Sequence, residues 1–135
     1  IPGSNSTMAA NLFTLGTYVN DAAMIERSKQ MLHNVMPSID KVTNPGFYYN
    51  WLNVYLSIVK PPYEVAVVGD DYKSKLKELQ SNYISNAIFL GGKSEGTLEL
   101  LKNKLVNGQT MIYVCQNKVC KLPTEHVGKA LELME

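Results

Sequence analysis

Cysteine is scarce in this 135-residue chain, with two residues in all. That excludes the disulfide framework of a small secreted domain. Histidine occurs only twice, at His33 and His126, far apart in sequence. Charge of one sign is not in excess. Thirteen Lys/Arg stand against twelve Asp/Glu, four against three in residues 1–60 and nine against nine in residues 61–135. A nucleic-acid surface shows as a basic excess, so no nucleic acid is expected as a partner. No apolar run approaches the roughly 18 residues of a membrane span, and Ile1-Pro2-Gly3-Ser4-Asn5 has no signal-peptide character. No membrane partner is expected, and the cytoplasm is the expected location. Glycine-rich phosphate loops and nucleophile motifs are missing too. No catalytic residue, metal or cofactor is therefore assigned, and whether the parent protein is an enzyme stays open.

What is present belongs to an ordinary globular protein, 45% hydrophobic and 19% charged. Chains of this length bury about two-thirds of their unfolded surface, so folding needs no staple. With no initiating methionine, the sequence reads as the C-terminal piece of a larger intracellular protein.

Residues 1–60 read as helices. Met8, Leu12, Leu15 and Val19 recur at helical spacing, with Ala9, Phe13 and Gly16 on the adjoining stripe. Ser4, Asn5 or Ser6 is the expected N-cap. Asn20-Asp21 stops one helix and caps the next, where Met24, Ser28, Met31, Val35 and Ile39 repeat the period. Pro37 is expected to kink or end that helix near Met36. The pair forms an αα-hairpin. After Asn44-Pro45-Gly46, residues 47–59 hold five of the chain's twelve aromatics and are expected to be widely buried.

Lys60-Pro61-Pro62 marks the boundary. Beyond it, strands and helices alternate in the order β-α-β-α-β-β-α. Residues 64–69 form a strand covered on both faces, followed by a helix through Tyr72, Leu76, Leu79 and Tyr83. A second strand spans 87–90 and another helix carries Leu98, Leu101 and Leu105. Two strands flank a tight turn at 110–115 and 119–122, and a last helix runs over 125–135. The expected fold class is α+β: an αα-hairpin segment (1–60), then a small α/β module (61–135) with a three- to four-stranded sheet.

The sharpest local feature is Tyr113-Val114-Cys115-Gln116-Asn117-Lys118-Val119-Cys120. A two-residue turn at Asn117-Lys118 makes Cys115 and Cys120 cross-strand neighbours in the closely spaced class. Three readings stand side by side. The cysteines are two packed thiols, a reversible and strained disulfide that acts as a redox pair, or half of a zinc site with His126, one ligand short of four. Asp70 and Asp71, opening a helix after the first strand, read as caps. Asn5, Ser6, Tyr48 and Trp51 are candidates for lining a substrate groove, although aromatics at helical spacing also read as core.

Four stretches, in order, carry a resemblance. They are Pro2-Gly3-Ser4-Asn5-Ser6 before the helix through Ala9–Leu15, Pro61-Pro62-Tyr63-Glu64-Val65-Ala66-Val67-Val68-Gly69, the run Val114-Cys115-Gln116-Asn117 with Val119-Cys120, and Pro123-Thr124. With these, the chain resembles the C-terminal end of thioredoxin-domain-containing proteins related to the spermatogenesis-associated protein of animals. It departs from their pattern at Gly3-Ser4 and His126. The resemblance implies partners within the parent chain, namely an upstream thioredoxin-like domain and an α/α toroid of the six-hairpin glycosidase type, with residues 1–60 as its last helices. Three functions follow as expectations: a non-catalytic structural region, a redox-active cysteine hairpin serving the thioredoxin-like domain, or pocket walls of an epimerase- or glycosidase-like enzyme. Helices shaped for a closed toroid also imply self-association of the isolated chain through residues 1–60.

Overall fold

The computed structural model describes residues 3–135. The chain divides into two compact units at Lys60–Pro61, an N-terminal helix pair with a third helix and then a mixed four-stranded sheet module.

In the first unit, α1 (Ser4–Val19) and α2 (Ala22–Ile39) pack against each other. The reversal between them is local chemistry. Asn20 takes the left-handed conformation at φ 58°, and the Asp21 N–H donates to the Gly16 carbonyl. The Asp21 carboxylate then accepts the N–H groups of Ala23 and Met24 at 2.8 and 3.1 Å. A Cβ on Gly16 would sit 2.9 Å from Ile25, so glycine sets how closely the helices approach there. Ser28, fully buried on α2, donates its hydroxyl to the Ala9 carbonyl of α1 at 2.7 Å. This satisfies a polar group that burial would otherwise penalise.

Several expectations need correction. α1 begins on Gly3 as N-cap with no side-chain cap bond, and the Ser6 hydroxyl donates back to the Gly3 carbonyl. The buried stripe of α1 is Ser6, Ala9, Phe13 and Gly16, whereas Met8, Leu15 and Val19 are exposed. α2 does not end near Met36 but continues through Pro37 to Ile39, with the proline in its last turn. A 3-10 turn (Pro45–Tyr48) leads into α3 (Tyr49–Val59), of which only Val54 is buried. The aromatic run is therefore largely on the surface, Phe47 at 97% exposure.

The second unit is a sheet of order β2-β1-β3-β4. β1 (Tyr63–Val68) connects through α4 (Tyr72–Gln80) to β2 (Ala87–Gly92), which lies parallel to it. β3 (Met111–Gln116) runs antiparallel on the other side of β1 and folds back into the short β4 (Val119–Cys120). α5 (Val127–Glu132) closes the chain. One face of the sheet holds Val65, Val67, Ile112 and Val114 in a core with Leu79 of α4 and with Val127 and Ala130 of α5. Strand alternation places Glu64, Ala66, Val68, Tyr113 and Cys115 on the opposite face.

The helix expected through Leu98 and Leu105 is only a 3-10 turn (Glu99–Leu101). The reason lies in where its backbone bonds go. The Glu95 carboxylate accepts the N–H groups of Lys104 and Leu105 at 2.8 and 2.9 Å, and Asn103 takes φ 56°. A side chain thus replaces the carbonyls a helix would use. These bonds, Leu105 first, hold the Glu95 carboxyl below its usual pKa.

Candidate functional site

Asn117 and Lys118 both adopt positive φ, 51° and 65°, the signature of a type I′ turn. Gln116 pairs with Val119 next to the turn, and the Lys121 N–H donates to the Val114 carbonyl at 2.9 Å. Between these two hydrogen-bonded steps lies Cys115 opposite Cys120, in the class of pair where antiparallel backbones come closest. The two sulfurs are joined as a disulfide, with the Cα atoms 3.8 Å apart. Among the described residues there is no free cysteine. The reading of two packed thiols does not hold, because register and turn place the sulfurs within bonding distance. The zinc reading loses its ligands for the same reason. Among the described residues, no group of three or more His, Cys, Asp or Glu could hold a metal. His126 is instead the N-cap residue of α5, its backbone N–H donating to Thr124 Oγ1.

The two halves of the disulfide differ in environment. Cys115 is 3% exposed, flanked by buried Val114 and by β1. Cys120 is exposed on β4, the edge strand, between exposed Val119 and Lys121. The hairpin is anchored on both sides. Gln116 Nε2 donates to the Pro61 carbonyl at 2.8 Å, and Glu64 Oε2 accepts the Lys118 N–H at 3.1 Å. Two residues before Cys115, the Tyr113 hydroxyl donates to the Lys104 carbonyl, and burial raises its pKa, assisted by the charge of Glu95.

Glu64 is the residue that sequence reasoning passed over. It stands directly opposite Cys115 and is only 7% exposed. The available signal was a lone carboxylate inside an otherwise apolar strand run, since buried charges require a partner.

The groove candidates lie in the other unit. Asn5 is exposed, while Ser6 is buried with its hydroxyl bonded to Gly3. Trp51 packs against the cluster of Ala9, Leu32 and Val54, and Tyr48 is half-buried at the end of the 3-10 turn. Asp71 makes no side-chain cap on α4, and its N–H donates to Thr110 Oγ1 instead. Gly69, Asp70, Lys93 and the 105–110 loop line a half-open cavity of about 240 Å³.

Comparison with family models, with curated proteins and with solved structures finds no match for this chain. Among the described residues, no helix is long and apolar enough to cross a membrane.

Proposed function

We propose that the Cys115–Cys120 hairpin is a thiol–disulfide exchange module that works with a thioredoxin-like domain of the parent protein. The observation that carries this reading is the asymmetry of the bond, one cysteine exposed on an edge strand and its partner buried. Exchange proceeds by attack of a thiolate on one sulfur and departure of the other, so access decides which sulfur reacts. An incoming thiolate forms a bond to Cys120 Sγ, the disulfide breaks, and the electron pair leaves on Cys115 Sγ. A second thiolate of the partner then attacks the partner's own sulfur in the mixed disulfide and expels Cys120. The partner dithiol is oxidised by two electrons, and its two protons end on the hairpin.

Two variants test the assignment. With oxidised glutathione as probe, Cys115→Ser leaves an accessible thiol and is expected to form a mixed disulfide readily. Cys120→Ser leaves only the buried thiol and should react at least about a hundredfold more slowly, following accessibility. Equal rates in the two variants would overturn the reading. So would a wild-type disulfide that resists dithiothreitol until the chain unfolds, which is how a structural staple behaves.

A second reading rests on the surface of residues 3–60. Met8, Leu15, Val19, Phe47, Tyr49, Leu56 and Val59 are all exposed, which supports helices taken from the end of a larger α/α toroid whose other members cover them. In this reading the segment is structural and could also furnish the walls of a carbohydrate site. Exposed apolar area of this extent drives association. The isolated chain is therefore expected to sediment faster as its concentration rises, and a constant monomer value at high concentration would count against it.

A further inference from the structure

Glu64, Cys115 and Cys120 occupy consecutive cross-strand positions on β1, β3 and β4, so their side chains share one face of the sheet. The carboxylate is buried and reaches past Cys115 to the turn, where it accepts the Lys118 N–H. A carboxylate thus stands at the strand position opposite the cysteine whose sulfur must take up the electron pair when Cys120 is attacked. Glu64's neighbour on its other side, Ile88 of β2, carries no charge.

We propose that Glu64 is a positioning residue that guards the disulfide, its charge making Cys115 a poor leaving group while its hydrogen bond holds the turn. The inference rests on the exchange reading above. Like charges close together disfavour the second anion, and a thiol of higher pKa leaves more slowly. The carboxylate therefore slows opening by a casual thiol. A docked partner that supplies a proton or a cation near Cys115 relieves the penalty. The hairpin is thereby selective for partners that bind, as opposed to small thiols that merely collide.

Other charges surround this face. Lys118 lies on the turn, and Glu99 feels the charges of Lys102, Lys118 and Lys104. Lys104 sits over the ring of Tyr113, whose pKa also responds to Glu95. None of the carboxylates among them stands opposite Cys115 in the register.

The test separates charge from hydrogen bond. Glu64→Gln keeps an oxygen that accepts the Lys118 N–H and removes only the charge. Its disulfide is expected to open about threefold to tenfold faster with dithiothreitol at neutral pH. In a Cys120→Ser background the same change is expected to lower the titration midpoint of Cys115, read by thiolate absorbance. Unchanged opening and an unchanged midpoint in Glu64→Gln overturn the proposal, and they leave the exchange reading standing as long as Cys120 still reacts. Faster opening in Glu64→Ala alone, with Glu64→Gln at the wild-type rate, reduces Glu64 to a turn clamp and also overturns it.

The wild type supplies an independent check should the variants fail to fold. At matched thiolate concentration, a cationic aminothiol is expected to open the disulfide faster than a neutral thiol, because it brings a positive charge to the face that Glu64 occupies. Equal rates with the two reagents overturn the proposal.

Discussion

Replacing Gly69 with alanine is expected to destabilise the sheet module by about 3–5 kcal/mol, the sum of backbone strain and overpacking. Gly69 ends β1 at φ 137°, a conformation L-residues rarely adopt. Space is lacking as well. A Cβ there would lie 2.5 Å from the Gln109 carbonyl oxygen and from Thr110 Oγ1, and 2.6 Å from Thr110 Cα. Two of those three atoms are backbone, so no flexible side chain can swing aside. Moving Thr110 also removes the acceptor of the Asp71 N–H, the bond that joins the start of α4 to the start of β3. Against a total stability of roughly 5–15 kcal/mol for a typical domain, such a loss is close to unfolding. Urea titration is the direct measurement. A change below about 1 kcal/mol would show that the turn relaxes freely and that this account of Gly69 is wrong.

The second large effect falls on Leu79. It is fully buried in the core under Val65, Val67, Ile112 and Val114. Leu79→Ala removes buried methyl groups and leaves a cavity, with an expected cost of about 2–5 kcal/mol. Tyr83, four residues on, shares the same helical stripe in the sequence. It is 94% exposed, because α4 ends at Gln80 and Ser81 caps it. Tyr83→Ala is expected to change stability by no more than about 0.5 kcal/mol. The pair, compared by thermal unfolding, tests whether the helix end or the hydrophobic period decides burial. Similar losses in both variants would restore the longer helix.

That contrast shows where the sequence was sufficient. Residues 65–68 are apolar at every position, and the strand they form is buried on both faces. Asn20-Asp21 held both the left-handed stop and the cap, because a short polar side chain meets its own neighbouring backbone. Asn117-Lys118 likewise announced the turn that aligns the two cysteines, although lysine at positive φ is uncommon. For the reversal and the turn, the decisive partners lie within five residues along the chain.

The reading failed where partners are remote. The apolar residues of α1 form two adjacent stripes, and periodicity does not say which one meets α2. Packing around Gly16 and the Ser28–Ala9 bond selected the stripe with the smaller side chains. The leucines at 98, 101 and 105 have a helical period, yet Glu95 captured the backbone N–H groups that a helix needs. The aromatics of 47–59 suggested a core, and their exposure is a fact about which surfaces the rest of the chain covers.

By itself, then, the sequence determined the α+β order, the reversal at Asn20-Asp21 and the hairpin that pairs Cys115 with Cys120. These follow from period, caps and turn residues, which act over a few bonds. Tertiary structure alone decided that one cysteine is buried while the other is exposed, and that Glu64 stands opposite the buried one. Glu64 is separated from Cys115 by 51 positions of chain, and no local pattern records a juxtaposition made by strand order and register.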